Sequence, residues 1–305
     1  MTSIPRDPVR LSVSILPSDE RKIFQDSSFF TRGGGPHTLP SPAQVRAAAD
    51  VQENKKVPFR QSIAVRFPSL NLIVKYGNMI TNAEGQCLWA IRHLLHNAVP
   101  VPEVYGWCRD GNDVFIYMEM IHGDTLEQRW DGLTAEEKLE VCQQLHGIME
   151  NLRRLEQDSG AKFIGNINRK PLLDILFAGA RHTPGPFPSI SSFHDYFHTG
   201  GKGSSPSSSP DPYRVSLPDN VPITFTHSDL HRSNIIVTPA GMHPVRVLAL
   251  IDWHQSGWLP AYWEYCKASF SSPHEDKWVT ECVPKFLEKW DCYEAWSYFQ
   301  MAYWI

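Results

Sequence analysis

No Cys-x-x-Cys pair occurs in this sequence. Its six cysteines, Cys87, Cys108, Cys142, Cys266, Cys282 and Cys292, stand singly, most of them beside apolar or aromatic neighbours. The spacing of a structural zinc site is therefore missing, and the thiols read as reduced packing residues of a reducing compartment. No run approaches the roughly 20 apolar residues of a membrane span. The opening MTSIPRDPVRLSV also lacks the apolar core of a secretory signal. The expectation is a soluble, cytoplasmic chain with no membrane contact. A dense Lys/Arg run is absent as well: 29 basic residues against 33 acidic ones leave a formal charge of −4, and the pI is near 6.3. No nucleic-acid footprint is expected. There is no internal repeat.

What is present is a chain of 305 residues, 42% of them hydrophobic, long enough for a large two-lobed core. Residues 1–59 are rich in Pro, Ser and Gly and read as an N-terminal extension or lid, with a short polar helix around Pro42–Val51. From residue 60 to 121 the runs SIAVRF, LNLIVKYG and VFIYMEM are β-branched and aromatic, which predicts a small sheet. A helix interrupts them: Thr81 and Glu84 have capping-box spacing, and Leu88, Ile91, Leu94 and Leu95 share one face. Residues 122–305 turn helical, starting with a second capping box, Thr134 and Glu137, and a stripe of Leu139, Cys142, Leu145, Ile148, Met149, Leu152 and Leu155. The segment 181–220 holds HTPGPFPS and then GGKGSSPSSSPDP, a composition that buries little, and is read as a mobile insertion. Strands return at ITFTH, NIIV and VRVLALID, and an aromatic-rich helical tail follows. The expected fold is α+β and two-lobed, an antiparallel sheet plus helix above a mainly helical lobe.

The segment FTHSDLHRSNIIV sets His227, Asp229 and Asn234 in an H-x-D-x-x-x-x-N frame before an apolar strand. The next strand, VRVLALIDW, ends at Asp252, so a hairpin would deliver a second carboxylate to the same cleft. Phosphoryl transfer needs this equipment: a carboxylate near the attacking hydroxyl, oxygen ligands for magnesium, and a cation on the phosphates. Lys75, on the strand LIVKYG, is the candidate cation. Alternation puts it on one face with Ile73, which could roof an adenine ring, and Glu84 is the nearest acid able to anchor it. Each residue also has a plainer reading. Glu84 could be only the N3 member of a cap, Lys75 an edge-strand solubility residue, and His227 a structural histidine.

The set Lys75, Glu84, MEMIHG at 118–123, HSDLHRSN and IDW resembles the aminoglycoside phosphotransferase and choline-kinase branch of the protein-kinase-like fold, in order over about residues 60–270. The resemblance implies ATP and Mg2+ as cofactors, with Asp229 as catalytic base, His227 bracing the catalytic loop, and Asn234 and Asp252 as metal ligands. It further implies that Lys75 holds the α/β-phosphates, that Glu84 orients it, and that Met118 is the gatekeeper. The Glu119 carbonyl and the Ile121 amide would bond adenine at the hinge. Three departures stand out: QSIAVRFPSL has no glycine for a flexible lid over the phosphates, Ser228 stands where family members usually carry Gly, and Trp253 follows Asp252 where protein kinases carry Phe-Gly. His231 occupies the position where protein kinases place Lys or Arg, and little chain separates Asp252 from Glu264 to hold a peptide. A small hydroxylated molecule is therefore the expected phosphate acceptor, though the sequence does not name it. The alternative is a catalytically weak or inactive kinase-like nucleotide-binding or scaffold protein.

Overall fold

The computed structural model describes residues 7–33, 38–52, 62–158, 160, 162–180, 182–199 and 211–302. The N-terminal half runs β1 (Val9–Leu11), β2 (Lys22–Ile23), α1 (Ser28–Thr31), α2 (Pro42–Val51), β3 (Ile63–Phe67), β4 (Leu72–Gly77), α3 (Asn82–Leu95), β5 (Val104–Asp110) and β6 (Asp113–Glu119). The β-branched and aromatic runs pair into a sheet ordered β2-β5-β6-β4-β3, antiparallel throughout. Pleating divides β4 between two environments. Leu72, Val74 and Tyr76 join a cluster with Val45, Val65, Tyr105 and Phe115 beneath α2, while Ile73 and Lys75 face the other way. Gly85 lets α3 lie close on that second face, because a Cβ there would stand 2.8 Å from the Trp107 ring.

The second half runs β7 (Asp124–Thr125), α4 (Leu126–Arg129), α5 (Ala135–Leu152), β8 (Leu155–Gln157), α6 (Ile190–His198), α7 (Pro212–Val215), β9 (Ile223–Thr226), β10 (Ile235–Val237), β11 (Val247–Leu250), β12 (Gly257–Pro260), α8 (Trp263–Phe270), α9 (Val283–Phe286) and α10 (Tyr293–Ala302). The fold is the expected one, α+β and two-lobed. Helix α5 opens with the Thr134/Glu137 capping box and buries Val141, Cys142, Leu145, Ile148, Met149 and Leu152. Two residues assigned to its stripe behave otherwise. Leu139 lies well round the helix from that row and is 44% exposed, and Leu155 begins β8, which runs parallel to β1.

The segment before residue 60 contributes β2 to the sheet and α2 to its cover, so part of it is built into the upper lobe. Much of 181–220 is likewise packed in place. Phe193 and Phe197 of α6 are fully buried against Phe177 and Trp263. His194 is held between Asp219 (Nδ1 to Oδ1, 2.6 Å) and the Tyr262 hydroxyl (2.5 Å). The mobility expected of the Gly/Ser stretch falls on residues 200–210, which lie outside the described ones; the amphipathic ISSFHDYFH beside it forms a core helix. Trp258, Tyr262, Trp263 and Tyr265 are packing residues, all buried. The six cysteines are free thiols, and only Cys108 is not fully buried. No described helix is long and apolar enough to cross a membrane.

Candidate active site

Strand β4 aims Lys75 at the space between the lobes, and the first turn of α3 brings Glu84 to it. Thr81 caps α3 by accepting from the Ala83 amide (3.3 Å), but Glu84 does not close a capping box. It accepts from Lys75 Nζ at 3.0 Å through Oε1, and its Oε2 lies 2.8 Å from the same nitrogen as an ion pair. The same Nζ donates to Asp252 Oδ1 at 2.6 Å. Burial alone would lower the Lys75 pKa, but Glu84 and Asp252 together hold it above the ordinary lysine value. Burial raises Glu84, with Lys75 pulling against it. For Asp252, burial would raise the pKa, and Lys75 overrides that and lowers it.

The HSDLHRSN loop leaves β9 at Thr226. Ser228 follows with φ 64°, a left-handed conformation that explains why glycine suits the position. His227 is fully buried and its tautomer is fixed: Nε2–H donates to the Ile251 carbonyl (3.0 Å), and Nδ1 accepts from the Asp229 amide (3.2 Å). Burial drives its pKa down to about 4, so the ring is neutral near pH 7. Glu264, which the sequence reading did not single out, supports the loop from below by accepting from the His227 amide at 2.6 Å. A buried acid in the aromatic stretch PAYWE was the available signal. The Trp253 ring packs 4.4 Å from His227.

Asn234 is buried at the head of β10, and its Nδ2 donates to the Asp229 carbonyl (2.8 Å) and to Asp229 Oδ2 (3.1 Å). The Ile251 amide donates to the Asn234 carbonyl (2.9 Å), so the β10–β11 hairpin brings Asp252 beside the loop. Burial would raise the Asp229 pKa, but His231, 3.5 Å away, lowers it to about 2. The Asp229 charge in turn acts on Asp252.

A cleft of about 630 Å³ opens above this hairpin, lined by Ile73, Lys75, Glu84, Met118, Glu119, Ile121 and Asp252 among others. His227, Asp229 and Asn234 lie on the adjoining loop rather than in that lining. At the hinge the Glu119 amide donates to Glu103 (2.8 Å) and the Met120 amide to Asn71 (3.1 Å). The Ile121 amide makes no backbone hydrogen bond among the described residues. Gly123 of MEMIHG is required sterically, since a Cβ would meet the Val237 carbonyl at 2.4 Å.

The donor set suits a hard divalent cation. Lys75 faces two carboxylates, Glu84 and Asp252, with Asp229 beside them, which leaves negative charge uncompensated. The Asn234 Nδ2 is turned to Asp229, which frees its Oδ1 as an oxygen ligand alongside Asp252. Few protein oxygens are needed when phosphates and water complete the shell. No group of three or more His, Cys, Asp or Glu residues forms a dedicated metal cage among the described residues.

Two lobes, a lysine bridged to a helix acid and a hairpin acid, and an H-x-D-x-x-x-x-N loop beneath them define a protein-kinase-like architecture. A model of the phosphotransferase enzyme family (APH) matches residues 88–299, well over half of the chain, and the chain belongs to that family. Among solved structures it is similar to the apo form of a thermostable mutant of aminoglycoside phosphotransferase APH(4)-Ia (16% identity, 79% of this chain and 74% of that one, TM-score 0.45). It is also similar to the streptomycin-ATP-APH(2")-IIa ternary complex (14% identity, 88% and 90%, TM-score 0.48). At TM-scores below 0.5 these likenesses add nothing to the family match. No curated protein sequence matches the chain.

Proposed function

We propose that this chain is an ATP- and Mg2+-dependent small-molecule kinase that transfers the γ-phosphoryl group to a hydroxyl. The observation that carries the reading is the double contact of Lys75 with Glu84 and Asp252, which ties the upper sheet to the loop acids at the back of a nucleotide-sized cleft. In this reading the base lies under Ile73 beside Met118, with the Glu119 carbonyl and Ile121 amide at its edge, and Lys75 moves from Asp252 onto the α/β-phosphates. Asn234 and Asp252 would hold Mg2+, which offsets charge on the phosphates when bound.

Asp229 accepts the hydrogen bond of the acceptor hydroxyl and aims it in line with the γ-phosphate, while His227 and Asn234 fix its loop. At a pKa of about 2 it is a weak proton acceptor. That is sufficient for a loose transition state, in which the hydroxyl proton comes off late and positioning dominates. As oxygen bonds to phosphorus and the bond to the ADP oxygen breaks, the proton passes to Asp229 and then to water.

A second reading, a nucleotide-binding protein without transfer, draws on one observation: β3 and the turn after it, from Ser62 to Leu70, contain no glycine. The test is Mg·ATP binding followed by transfer to a panel of hydroxylated and aminated metabolites, in the wild type and Asp229→Asn. Turnover lost in D229N with binding kept supports the kinase. Retained turnover would overturn it, and wild-type binding with no turnover on any acceptor would favour the second reading.

A further inference from the structure

The roof of the cleft carries a cation that the kinase reading has not used. Pleating places Val65 in the core beneath α2 and turns its neighbours Ala64 and Arg66 toward the cleft. Arg66 is exposed there, and its guanidinium forms no ion pair among the described residues. Its backbone is anchored from both sides of the residue. The amide donates to Gln52 Oε1 (3.2 Å) and the carbonyl accepts from Gln52 Nε2 (2.8 Å), so the end of α2 holds the open edge of β3 as a partner strand would. The side chain is thus free while its root is fixed.

Strand register locates that root. Ala64 lies opposite Lys75, which lies opposite Ile116; Arg66 lies opposite Ile73, which lies opposite Met118. The two rows are one pleat repeat, about 7 Å, apart. The Lys75 row covers the phosphate end of the cleft, and the Arg66 row covers the hinge end, where the base would meet Glu119 and Ile121. An unpaired guanidinium beside an aliphatic roof and over the floor residues Ile236 and Ile251 stands where a flat ring bound between roof and floor would meet it as a cation–π lid.

Resting on the proposed nucleotide site, we propose that Arg66 closes over the purine base, its guanidinium plane lying on the solvent-facing part of the ring. It thereby supplies affinity that a glycine-rich loop supplies through phosphate contacts in other kinase-like proteins. The assignment names a base-recognising residue, distinct from Lys75, and it predicts that affinity depends on an aromatic base more than on phosphate number at this position.

Calorimetric titration of wild type and Arg66→Ala with adenosine, ADP, Mg·ATP and Mg·tripolyphosphate tests it. The expected result is a loss of about 5- to 30-fold for the three ligands that carry a base, of similar size for each, and no change for tripolyphosphate. R66A should keep the wild-type melting temperature, because the side chain is exposed and the Gln52 bonds use only backbone. A loss that grows from adenosine to ATP, or a loss for tripolyphosphate, would make Arg66 a phosphate ligand and overturn the proposal, as would unchanged adenosine affinity in R66A. Failure of the wild type to bind any base-bearing ligand would overturn the underlying nucleotide reading as well.

Discussion

Lys75 and Asp252, 177 residues apart in the chain, meet at 2.6 Å across the two lobes. The contact is made possible by strand β4 above, by the left-handed turn at Asp252 (φ 63°) below, and by Glu84, which takes the other side of the same ammonium. One cation between two acids has a polarised consequence. Glu84 is 2% exposed and cannot turn to water, whereas the Asp252 side chain is 42% exposed and can release Lys75 to a phosphate.

Lys75→Met should therefore harm both stability and nucleotide binding. Leaving a buried carboxylate without its partner costs about 3 kcal/mol or more. Because burial already raises Glu84, the variant should recover part of that loss at low pH, where Glu84 takes up a proton. Chemical denaturation of K75M at pH 7 and pH 5 checks this; a stability deficit independent of pH would show that Glu84 does not stay in place. Mg·ATP affinity should fall in the same protein at either pH.

His231 holds Asp229 low, as its place 3.5 Å from the carboxylate requires. His231→Ala should raise the Asp229 pKa above about 2, so the acid limb of the kcat profile moves to higher pH. The sign follows from linkage, since removing a group that favours the charged carboxylate favours its protonated form. Transfer rates measured from pH 3 to pH 8, with an acceptor found by screening, would reveal the shift as an acid limb that enters the range in H231A and stays below it in wild type, and an H231A profile as flat as that of wild type would detach His231 from Asp229. D229N itself should lose on the order of 10² to 10⁴ in kcat with its melting curve little changed.

Much of this site was legible because its residues lie in short, ordered motifs. Alternation alone put Ile73 and Lys75 on one face of β4, and the core cluster of Leu72, Val74 and Tyr76 fills the other. HSDLHRSN brought His227, Asp229 and Asn234 into one loop through local hydrogen bonds that any such spacing permits. What was not legible depended on tertiary partners. Glu84 fitted a capping box equally well until Lys75 outcompeted the backbone for its carboxylate. Glu264 supports His227 from 37 positions away, a distance no periodicity reports. Residues 22–23 are too short a run to be read as a strand, and they pair only because Trp107 and Gly106 present an open edge.

Ser228→Gly should stabilise the protein. Ser228 sits at φ 64°, and its fully buried hydroxyl has no hydrogen-bond partner among the described residues. Relief of the left-handed strain is worth about 1 kcal/mol, and removal of an unsatisfied buried hydroxyl adds to it. The greater freedom of glycine in the unfolded chain offsets about 0.5–1 kcal/mol. A rise of about 1 kcal/mol in unfolding free energy is the expected outcome by urea titration. A loss of stability would mean that the Ser228 side chain makes a contact worth more than its strain.

His227 and Glu264 should oppose each other in the pH dependence of stability. Burial lowers the His227 pKa from 6.5 to about 4, so between those values the unfolded chain carries a proton that the native ring does not, and stability falls as pH falls. Burial raises Glu264 from 4.5 to about 7, so between those values the native state holds a proton that the unfolded chain has lost, and stability falls as pH rises. From pH 4.5 to 6.5 the two slopes cancel. Glu264→Gln removes one of them while its amide oxygen can still accept from the His227 backbone. Relative to wild type, the variant's unfolding free energy should climb by roughly 1.4 kcal/mol per pH unit across that window. Parallel curves for the two proteins from pH 4.5 to 6.5 would mean that Glu264 is ionised in the fold, with its charge carried by the two amides above it.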